Sequence, residues 1–458
     1  MTLLLPSVNS ASNATLESAD FQTQPLTSAT GLHQFSPERI LFPNCETDIV
    51  AAVKYAAAQQ TPIRAIGAMH SYSPIFTTVG TCLVLERYSR LVDISEHQVT
   101  VEAGMTLAAL NEQLAQLGLA LPVMSAIASQ TVSGAIATGA HGGSLYHPNL
   151  SGYVLKLRLV KADGSVITLQ PSEAEFNAVA ISMGLLGIVS TITLKCVPAF
   201  RLVAKSHALS CDEFVEQFDS IHQNNQYVDV KYVPITDRVQ VLTMNKTHQE
   251  SAQQIHTVQM ASPAQVRRLK THVLRRMLKL FQNPRWRWLQ FVMFKRHENN
   301  IYPGYRCQRG DRILTDLDYR YYDPIPMHNM EIAVPYSCGP AVLQSLRERF
   351  RQTRRYPNIF IRIRVSKADA FWLSPAYQQA VCWFDFCEYP YSGDFFREMI
   401  DLLQPFDFRC HWGKEIQASP DYLRSRYEKW PAFMSLRDRW DKQRLFANPT
   451  LDHFFSRS

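Results

Sequence analysis

Two stretches of this chain are the most informative about its fold: RAIGAMHSYSP (residues 64–74) and ASQTVSGAIATGAHGGS (residues 128–144). In the first stretch an apolar run ends at Gly67, and small and polar residues follow. In the second, closely spaced glycines allow another molecule to lie directly on the backbone. Loops of this kind present consecutive N–H groups that suit the phosphates of a nucleotide. The two stretches predict a nucleotide-binding surface, and the alternative is a pair of ordinary turns.

Neither stretch matches the better-known phosphate-binding motifs. The G-x-G-x-x-G dinucleotide fingerprint and the phosphate loop that ends in Gly-Lys-Ser/Thr are both absent, so nicotinamide or ATP binding by those routes is not supported. The 14 histidines are dispersed without a His-Glu-x-x-His motif, and Cys382 and Cys387 lie beside strand-like aromatic residues. We therefore predict structural cysteines and no metal site.

Alternating helix and strand patterns surround the two glycine-rich stretches. ETDIVAAVKYAAAQQ predicts a helix capped by Thr47 or Asp48, whereas TPIRAIG and QVTVEAG read as strands. A second helix is predicted to begin after Thr106 and to end at Gly118. VLKLRLVKADGSVITL predicts a β-hairpin that turns at residues 162–164, and GLLGIVSTITLKCVP adds a strand.

The chain divides into four predicted parts. Residues 1–34 form a Ser/Thr/Ala-rich tail, residues 35–200 an α/β domain, and residues 201–410 a second domain with strands such as VQVLTM, MEIAVP and IFIRIRVS. Residues 411–458 are rich in aromatic and turn residues and are expected to fold back on the rest. We expect an α+β protein whose second domain has an antiparallel sheet flanked by helices.

Composition narrows the class of protein. The 46% hydrophobic and 19% charged residues describe a folded globular chain. Nine cysteines without C-x-x-C pairs, an odd number, fit a reducing compartment. The N-terminus has no basic region followed by an apolar stretch, and no run of eighteen apolar residues occurs, so we expect a cytoplasmic protein.

The basic charge is concentrated in one segment. Of the residues between Gln265 and Arg296, ten are Lys or Arg and none is Asp or Glu. The segment mixes these cations with apolar residues and two tryptophans, which suits peripheral contact with an anionic membrane. The alternative is a solvated helix of the second domain. Nucleic-acid binding is not expected, because no recognised module accompanies the charge.

Five motifs in order resemble one family. RAIGAMHSYSP and QTVSGAIATGAHGG resemble the FAD-binding (PCMH-type) domain, with its two subdomains, of vanillyl-alcohol-oxidase-type flavoproteins. MEIAVP (330–335), RVSKADAFWLSPAY (364–377) and HWGK (411–414) resemble the branch that contains D-arabinono-1,4-lactone oxidase, L-gulonolactone oxidase and alditol oxidase. The resemblance spans about residues 35–455.

The resemblance implies which residues hold FAD. His70 matches the histidine that is often bonded covalently to the flavin, and the alternative is a histidine that only hydrogen-bonds it. Ile188 is expected near the adenine through its backbone. The remaining expected FAD contacts are Gly67, Ala68, Met69, Ser71, Gly134, Ala137, Thr138, Gly139, His141 and Gly142.

The resemblance also implies the catalytic groups. Lys414, with Arg364, is expected to hold the substrate hydroxyl and to take or share its proton while hydride leaves for the flavin. His411 is expected to contact the flavin or to orient the lysine, and Thr131 to bind a sugar hydroxyl. Relatives usually have Glu-x-Arg where this chain has Arg362-Ile363-Arg364. An arginine attracts anions, so we hypothesise an acidic substrate, or an Arg362 that points away.

These residues predict an FAD-dependent oxidoreductase that oxidises a CH–OH group of an aldonolactone, an alditol or a sugar acid, with oxygen as the electron acceptor. One alternative is a membrane-associated dehydrogenase of the same family that uses a quinone. Another is a catalytically silent flavoprotein that serves as a partner subunit, although the presence of HWGK argues against it.

Overall fold

The structure is a computed structural model, and it describes residues 25–247, 264–297, 306–309 and 326–456. Residues 1–24 of the predicted tail lie outside the described residues. Residues 25–34, which the sequence analysis assigned to the tail, are folded: Leu26–Thr27 (β1) pairs with Gln34–Phe35 (β2).

The remaining strands, in chain order, are Arg39–Leu41 (β3), Ile63–Ile66 (β4), Thr81–Val84 (β5), Leu91–Ser95 (β6), Gln98–Glu102 (β7), Leu119–Ala120 (β8), Val154–Val160 (β9), Val166–Leu169 (β10), Ile188–Lys195 (β11), Val197–Pro198 (β12), Arg201–Ser210 (β13), Tyr227–Val233 (β14), Arg238–Thr247 (β15), Arg306–Arg309 (β16), His328–Pro335 (β17), Ile361–Ser366 (β18), Val381–Glu388 (β19) and Arg409–Cys410 (β20).

The helices are Glu46–Gln59 (α1), Leu107–Gln116 (α2), Val132–Ala137 (α3), Phe176–Val179 (α4), Cys211–Glu216 (α5), Phe218–Gln223 (α6), Ala264–Phe281 (α7), Arg287–His297 (α8), Gly339–Thr353 (α9), Asp394–Leu403 (α10), Pro420–Arg426 (α11), Trp430–Trp440 (α12) and Pro449–Phe455 (α13).

The first domain contains two main sheets and a short two-stranded sheet, β12-β8. β3, β5 and β4 form a parallel sheet, and β10, β9, β11, β7 and β6 form an antiparallel sheet that includes the predicted hairpin. Thr106 caps α2 as predicted, because its Oγ1 accepts a hydrogen bond 3.1 Å long from the Ala109 N–H. The predicted cap of α1 is wrong: Cys45 is the N-cap, and the Asp48 carboxylate accepts from the Asn44 and Cys45 N–H groups at 2.8 and 3.2 Å. A carboxylate in the first turn satisfies these exposed donors from inside the helix.

The second domain is built on one antiparallel sheet of eight described strands, in the order β16-β13-β15-β14-β18-β19-β17-β20. Residues alternate between its two faces. On β18, Ile361, Ile363 and Val365 are buried in the main hydrophobic core, whereas Arg362 and Arg364 project from the opposite face. That opposite, polar face is the one that meets the first domain. The α+β prediction with an antiparallel second sheet is confirmed.

The C-terminal segment folds back on both domains. The His411 N–H donates to Glu331 O of the large sheet at 2.9 Å, and the Ile63 N–H of the first domain donates to Leu445 O at 2.8 Å. The Arg64 guanidinium, which is buried, donates to Phe446 O at 2.7 Å. The predicted divisions at residues 200 and 410 remain proposals.

Candidate active site

A cavity lies between the two sheets of the first domain and ends against the polar face of the large sheet. With its open mouth it encloses about 1480 Å³, and strand β4, helix α3 and the start of β11 contribute to its wall. Its end is lined by Glu331, Arg364, His411 and Lys414. The cavity therefore joins the two glycine-rich stretches to the charged residues of the second domain.

Most residues that were predicted to hold the cofactor meet at this cavity. They are Gly67, Ala68, Met69, His70, Ser71, Gly134, Ala137, Thr138, His141 and Ile188. Gly139 and Gly142 are not among the lining residues. Gly139 has φ +70°, which favours glycine, and a Cβ on Gly142 would lie 2.6 Å from Val123 Cγ2. Packing accounts for both glycines.

The loops that line the cavity come close to each other at Gly67. A Cβ on this residue would lie 2.1 Å from Thr131 Oγ1, so only glycine permits the approach. Thr131 is the N-cap of α3, and its Oγ1 accepts a hydrogen bond 3.3 Å long from the Gly134 N–H. A Cβ on Gly134 would meet only this hydroxyl, at 3.0 Å, and its other side is open to the cavity. The wall therefore presents bare backbone to a ligand.

His70 lies on the cavity wall with a partner from the second glycine-rich stretch. Its Nε2 is 2.8 Å from Ser129 Oγ. Burial lowers the pKa of His70, so the ring is neutral at neutral pH. A neutral imidazole held in one orientation can act as a nucleophile or as a hydrogen-bonding group.

Glu331 is the centre of the charged cluster. Its Oε1 is 2.5 Å from Arg364 Nη2 and 3.2 Å from His141 Nε2, and all three side chains are buried. Burial alone would raise the pKa of Glu331, but Arg364, His141 and Lys414 together hold it well below its ordinary value. The group is therefore an ionised carboxylate that neutralises the cations around it.

Lys414 stands beside two carboxylates at the cavity wall. Its Nζ is 4.0 Å from Glu331 Oε2, 3.9 Å from Asp385 Oδ2 and 4.9 Å from the centre of the Tyr72 ring. The backbone fixes this position, because the Lys414 N–H donates to His411 O at 3.0 Å and the Tyr72 N–H donates to Gly413 O at 2.9 Å. The HWGK loop is thus tied directly to the RAIGAMHSYSP loop.

The two histidines of the cluster are neutral for the same reason. Burial lowers the pKa of His411 to about 3 and also lowers the pKa of His141. His411 Nδ1 accepts a hydrogen bond 3.0 Å long from the Gly413 N–H, so His411 shapes the loop that carries Lys414. The His141 ring stacks on Trp383 with a centroid separation of 3.8 Å.

Arg362 does not line the cavity. Its guanidinium forms two hydrogen bonds with the buried Asp229 carboxylate, at 2.6 and 3.1 Å. Arg362 occupies the position at which relatives were expected to have a glutamate. Its charge is neutralised by Asp229, which lies on the neighbouring strand β14.

Sequence reasoning missed Glu331 and Asp385. Both lie on the polar face of strands that otherwise read as apolar, MEIAVP and VCWFDFCE, and they are cross-strand neighbours. A single acidic residue inside a buried strand is the signal that could have identified them, because such a charge needs partners.

One group of residues has the donor atoms for a metal ion. The ligand atoms of His141, Glu331 and His411 lie within 4.8 Å of one another. Arg364 and Lys414 already face the only carboxylate of this group, and a bound cation would stand next to both. Charge repulsion therefore disfavours a metal here.

Comparisons with known proteins cover almost the whole chain. Residues 37–170 match an FAD-binding domain, and residues 192–454 match D-arabinono-1,4-lactone oxidase. The second match covers more than half of the chain. This protein belongs to the D-arabinono-1,4-lactone oxidase family.

Individual relatives agree with this membership. The chain is 28% identical to an L-gulono-1,4-lactone dehydrogenase from Mycobacterium tuberculosis over 430 residues, which are 90% of this chain and 95% of the relative. It is 26% identical to the L-gulonolactone oxidase of Mus musculus over 92% of this chain and 96% of the relative. The fold matches a cholesterol oxidase from Brevibacterium sterolicum with a TM-score of 0.80 at 14% identity, covering 97% of this chain and 99% of that one.

Membership of the family makes the chain an FAD-dependent oxidoreductase that oxidises a sugar-derived substrate. The cavity fits FAD, because it is lined by exposed backbone at its first-domain end and reaches the charged cluster at the other. The residues that would hold FAD are those of the two glycine-rich stretches that line it.

Proposed function

We propose that this chain oxidises a CH–OH group of a neutral aldonolactone, with Lys414 as the group that handles the proton of that hydroxyl. The observation that carries the proposal is the position of Lys414 on the cavity wall, with Glu331 and Asp385 within 4.0 Å of its Nζ. FAD, when bound, supplies the hydride acceptor.

The position of Lys414 on the cavity wall suits a proton transfer. A deprotonated Lys414 amine accepts the proton of the substrate hydroxyl, and the Glu331 and Asp385 carboxylates beside it stabilise the ammonium that forms. Arg364 donates hydrogen bonds toward the same end of the cavity and stabilises negative charge on the substrate oxygen. Glu331 stays ionised throughout and acts as a positioning residue, since it fixes Arg364 and balances its charge.

The substrate is neutral rather than acidic. Arg362, the residue that suggested an anionic substrate, is paired with Asp229, so its charge is not offered to the cavity. At this end of the cavity the carboxylates of Glu331 and Asp385 balance the charges of Arg364 and Lys414, so no net positive charge is left to select an anion. The carboxylates also accept hydrogen bonds from hydroxyl groups. A lactone ring with several hydroxyls satisfies this arrangement.

Two further roles rest on the cavity lining. We propose that His70 forms a covalent bond to FAD, since its neutral ring lies on the cavity wall and is oriented by Ser129. We also propose that Thr131, which lines the cavity at the contact between the two glycine-rich stretches, hydrogen-bonds a substrate hydroxyl.

We propose that oxygen is the electron acceptor. We also propose that the protein lies in the cytoplasm. The eight cysteines that the structure describes are all unpaired, which suits a reducing compartment. A membrane quinone is the second candidate, and it is favoured by one observation: residues 264–297 expose apolar and basic side chains together.

A substrate panel tests the proposal. L-gulono-1,4-lactone and D-arabinono-1,4-lactone are compared with the corresponding open-chain acids, with peroxide release and quinone reduction measured in parallel. We expect turnover of a lactone and little turnover of the acids. Preference for the acids would contradict the neutral-substrate assignment, and a flavin-loaded protein that oxidises none of them would favour the partner-subunit alternative.

A further inference from the structure

The helices α7 and α8, with the turn between them, lie on the outside of the second domain, and we call residues 264–297 the basic helix pair. Its inner side is anchored to that domain. Leu278 and Phe281 are buried, and Gln290 Nε2 donates a hydrogen bond 3.1 Å long to Pro357 O. A second contact runs from Asn358 Nδ2 to Leu278 O, at 3.2 Å. The pair is therefore a fixed surface of the described protein.

The outer side of the basic helix pair is apolar as well. Of the 13 large apolar side chains that are exposed in the described part of the chain, eight lie on it. On α7, Leu269, Val273 and Leu280 recur at helical spacing opposite the buried stripe, and Leu269 is 64% exposed. The turn and α8 add Trp286, Trp288, Phe291 and Val292, of which Trp288 is 61% exposed. A helix with apolar residues on two sides has a face for a partner.

The charge on this surface has one sign. The segment contains ten Lys and Arg residues, and no Asp or Glu occurs between residues 264 and 297. Exposed cations include Arg276 and Lys279 on α7 and Arg296 on α8. No described helix is both long enough and apolar enough to cross a bilayer, so any contact with lipid is made from the surface.

We infer that the basic helix pair docks on the surface of an anionic lipid bilayer, with its tryptophans and aliphatic residues in the interfacial layer and its cations among the headgroups. Interfacial helices combine Trp, Phe and Leu on one face with Lys and Arg around it, and each cation near an anionic membrane strengthens binding. A protein partner fits less well, because the core of a protein interface is depleted in charged residues, whereas exposed cations lie among the exposed apolar side chains here. This inference does not depend on the substrate or on the electron acceptor.

The docked surface is linked to the loop that carries Lys414. Gln282, in the turn of the pair, donates a hydrogen bond from Nε2 to Pro390 O at 2.9 Å. The adjacent Tyr391 stacks on His328 at 3.9 Å, and His328 Nδ1 lies 2.8 Å from Glu415 Oε1. Glu415 follows Lys414 directly. Lipid contact at the pair is therefore three contacts away from the proposed proton-transfer group.

Co-sedimentation of the flavin-loaded full chain with vesicles tests the inference. We expect the protein to pellet with vesicles that contain phosphatidylglycerol and not with pure phosphatidylcholine, and to be released by high salt. The double variant Arg276→Glu, Lys279→Glu should lower the partition coefficient at least about tenfold, and Trp288→Ser should lower it and reduce the blue shift of tryptophan fluorescence on lipid binding. The controls are Lys156→Glu and Leu117→Asn, exposed residues of the first domain.

Three results would overturn the inference. The first is equal binding to both kinds of vesicle, and the second is a loss of binding in the control variants as large as that in the variants of the basic helix pair. The third is a protein that binds neither kind of vesicle, whether it is monomeric or self-associates through this surface. Flavin absorbance and lactone turnover, measured on every variant, show that the protein is folded and keep this outcome separate from that of the proposed function.

Discussion

The Nη2 atom of Arg364 lies 2.5 Å from Oε1 of Glu331, and both side chains are buried. The two residues stand on β18 and β17, so their ion pair spans the intervening strand β19. The pair holds a guanidinium at the end of the cavity without leaving a buried charge uncompensated. We expect it to be the main electrostatic support of the site.

Glu331→Gln should destabilise the protein and impair turnover. The change leaves the buried Arg364 without its carboxylate, and breaking a buried pair in this way costs about 3 kcal/mol. Urea denaturation with flavin absorbance as a second probe measures the effect. The matched control is Asp421→Asn, which removes an exposed partner of Arg424 and should cost under about 1 kcal/mol. Equal losses in the two variants would contradict the structural role of Glu331.

The ionisation of Glu331 should make the free energy of unfolding depend on pH in the acidic range. The pKa of Glu331 is held below its ordinary value of 4.5, so its contribution is fully present above that pH and is lost as the pH falls through the lowered pKa. The wild-type protein should therefore lose stability in acid more steeply than Glu331→Gln. Unfolding free energies measured across this range check the difference, and parallel curves would argue against an ionised Glu331.

Gly134→Leu should prevent FAD binding while the polypeptide still folds. The open side of Gly134 faces the cavity, so a leucine side chain would occupy the space of the cofactor. Circular dichroism and bound-flavin absorbance measure folding and binding separately. Ala109→Leu, on the exposed side of α2, is the control and should keep its flavin. A yellow Gly134→Leu protein would show that FAD lies elsewhere.

His70→Ala should release any covalently bound flavin. After denaturation in acid, flavin fluorescence is expected to stay with the wild-type polypeptide and to be lost from the variant, whereas His97→Ala, in the exposed turn between β6 and β7, should behave as the wild type. Fluorescence that remains on His70→Ala would assign the link to another residue.

The two glycine-rich stretches were predictable because their signal is local: a run of small residues between strands is typical of a backbone that another group approaches closely. Gly139 and Gly142 were assigned to the cofactor because a glycine required by φ or by a neighbouring side chain looks the same in a sequence as one required by a ligand. The structure separates the two cases through Ile181 and Val123, which lie close to these glycines.

The charged end of the cavity was harder to predict because its partners are distant in the chain. Asp229, which neutralises Arg362, lies 133 residues earlier, so an arginine that seemed to offer its charge to the substrate is part of the sheet. The alternation of residues along its strand indicates on which face of the sheet Glu331 lies. It does not indicate which side chains of other strands lie beside it. Lys414 and His411 were found only because HWGK resembles a known family motif.

The account depends most directly on Lys414, and anaerobic reduction of the flavin tests it. Wild-type protein, Lys414→Met and the exposed-lysine control Lys442→Met are mixed with L-gulono-1,4-lactone or D-arabinono-1,4-lactone without oxygen, and the loss of flavin absorbance is followed. We expect rapid bleaching of the wild type and the control, and bleaching about 10² to 10⁴ times slower in Lys414→Met with its flavin still bound. Bleaching of Lys414→Met at the wild-type rate would contradict the assignment.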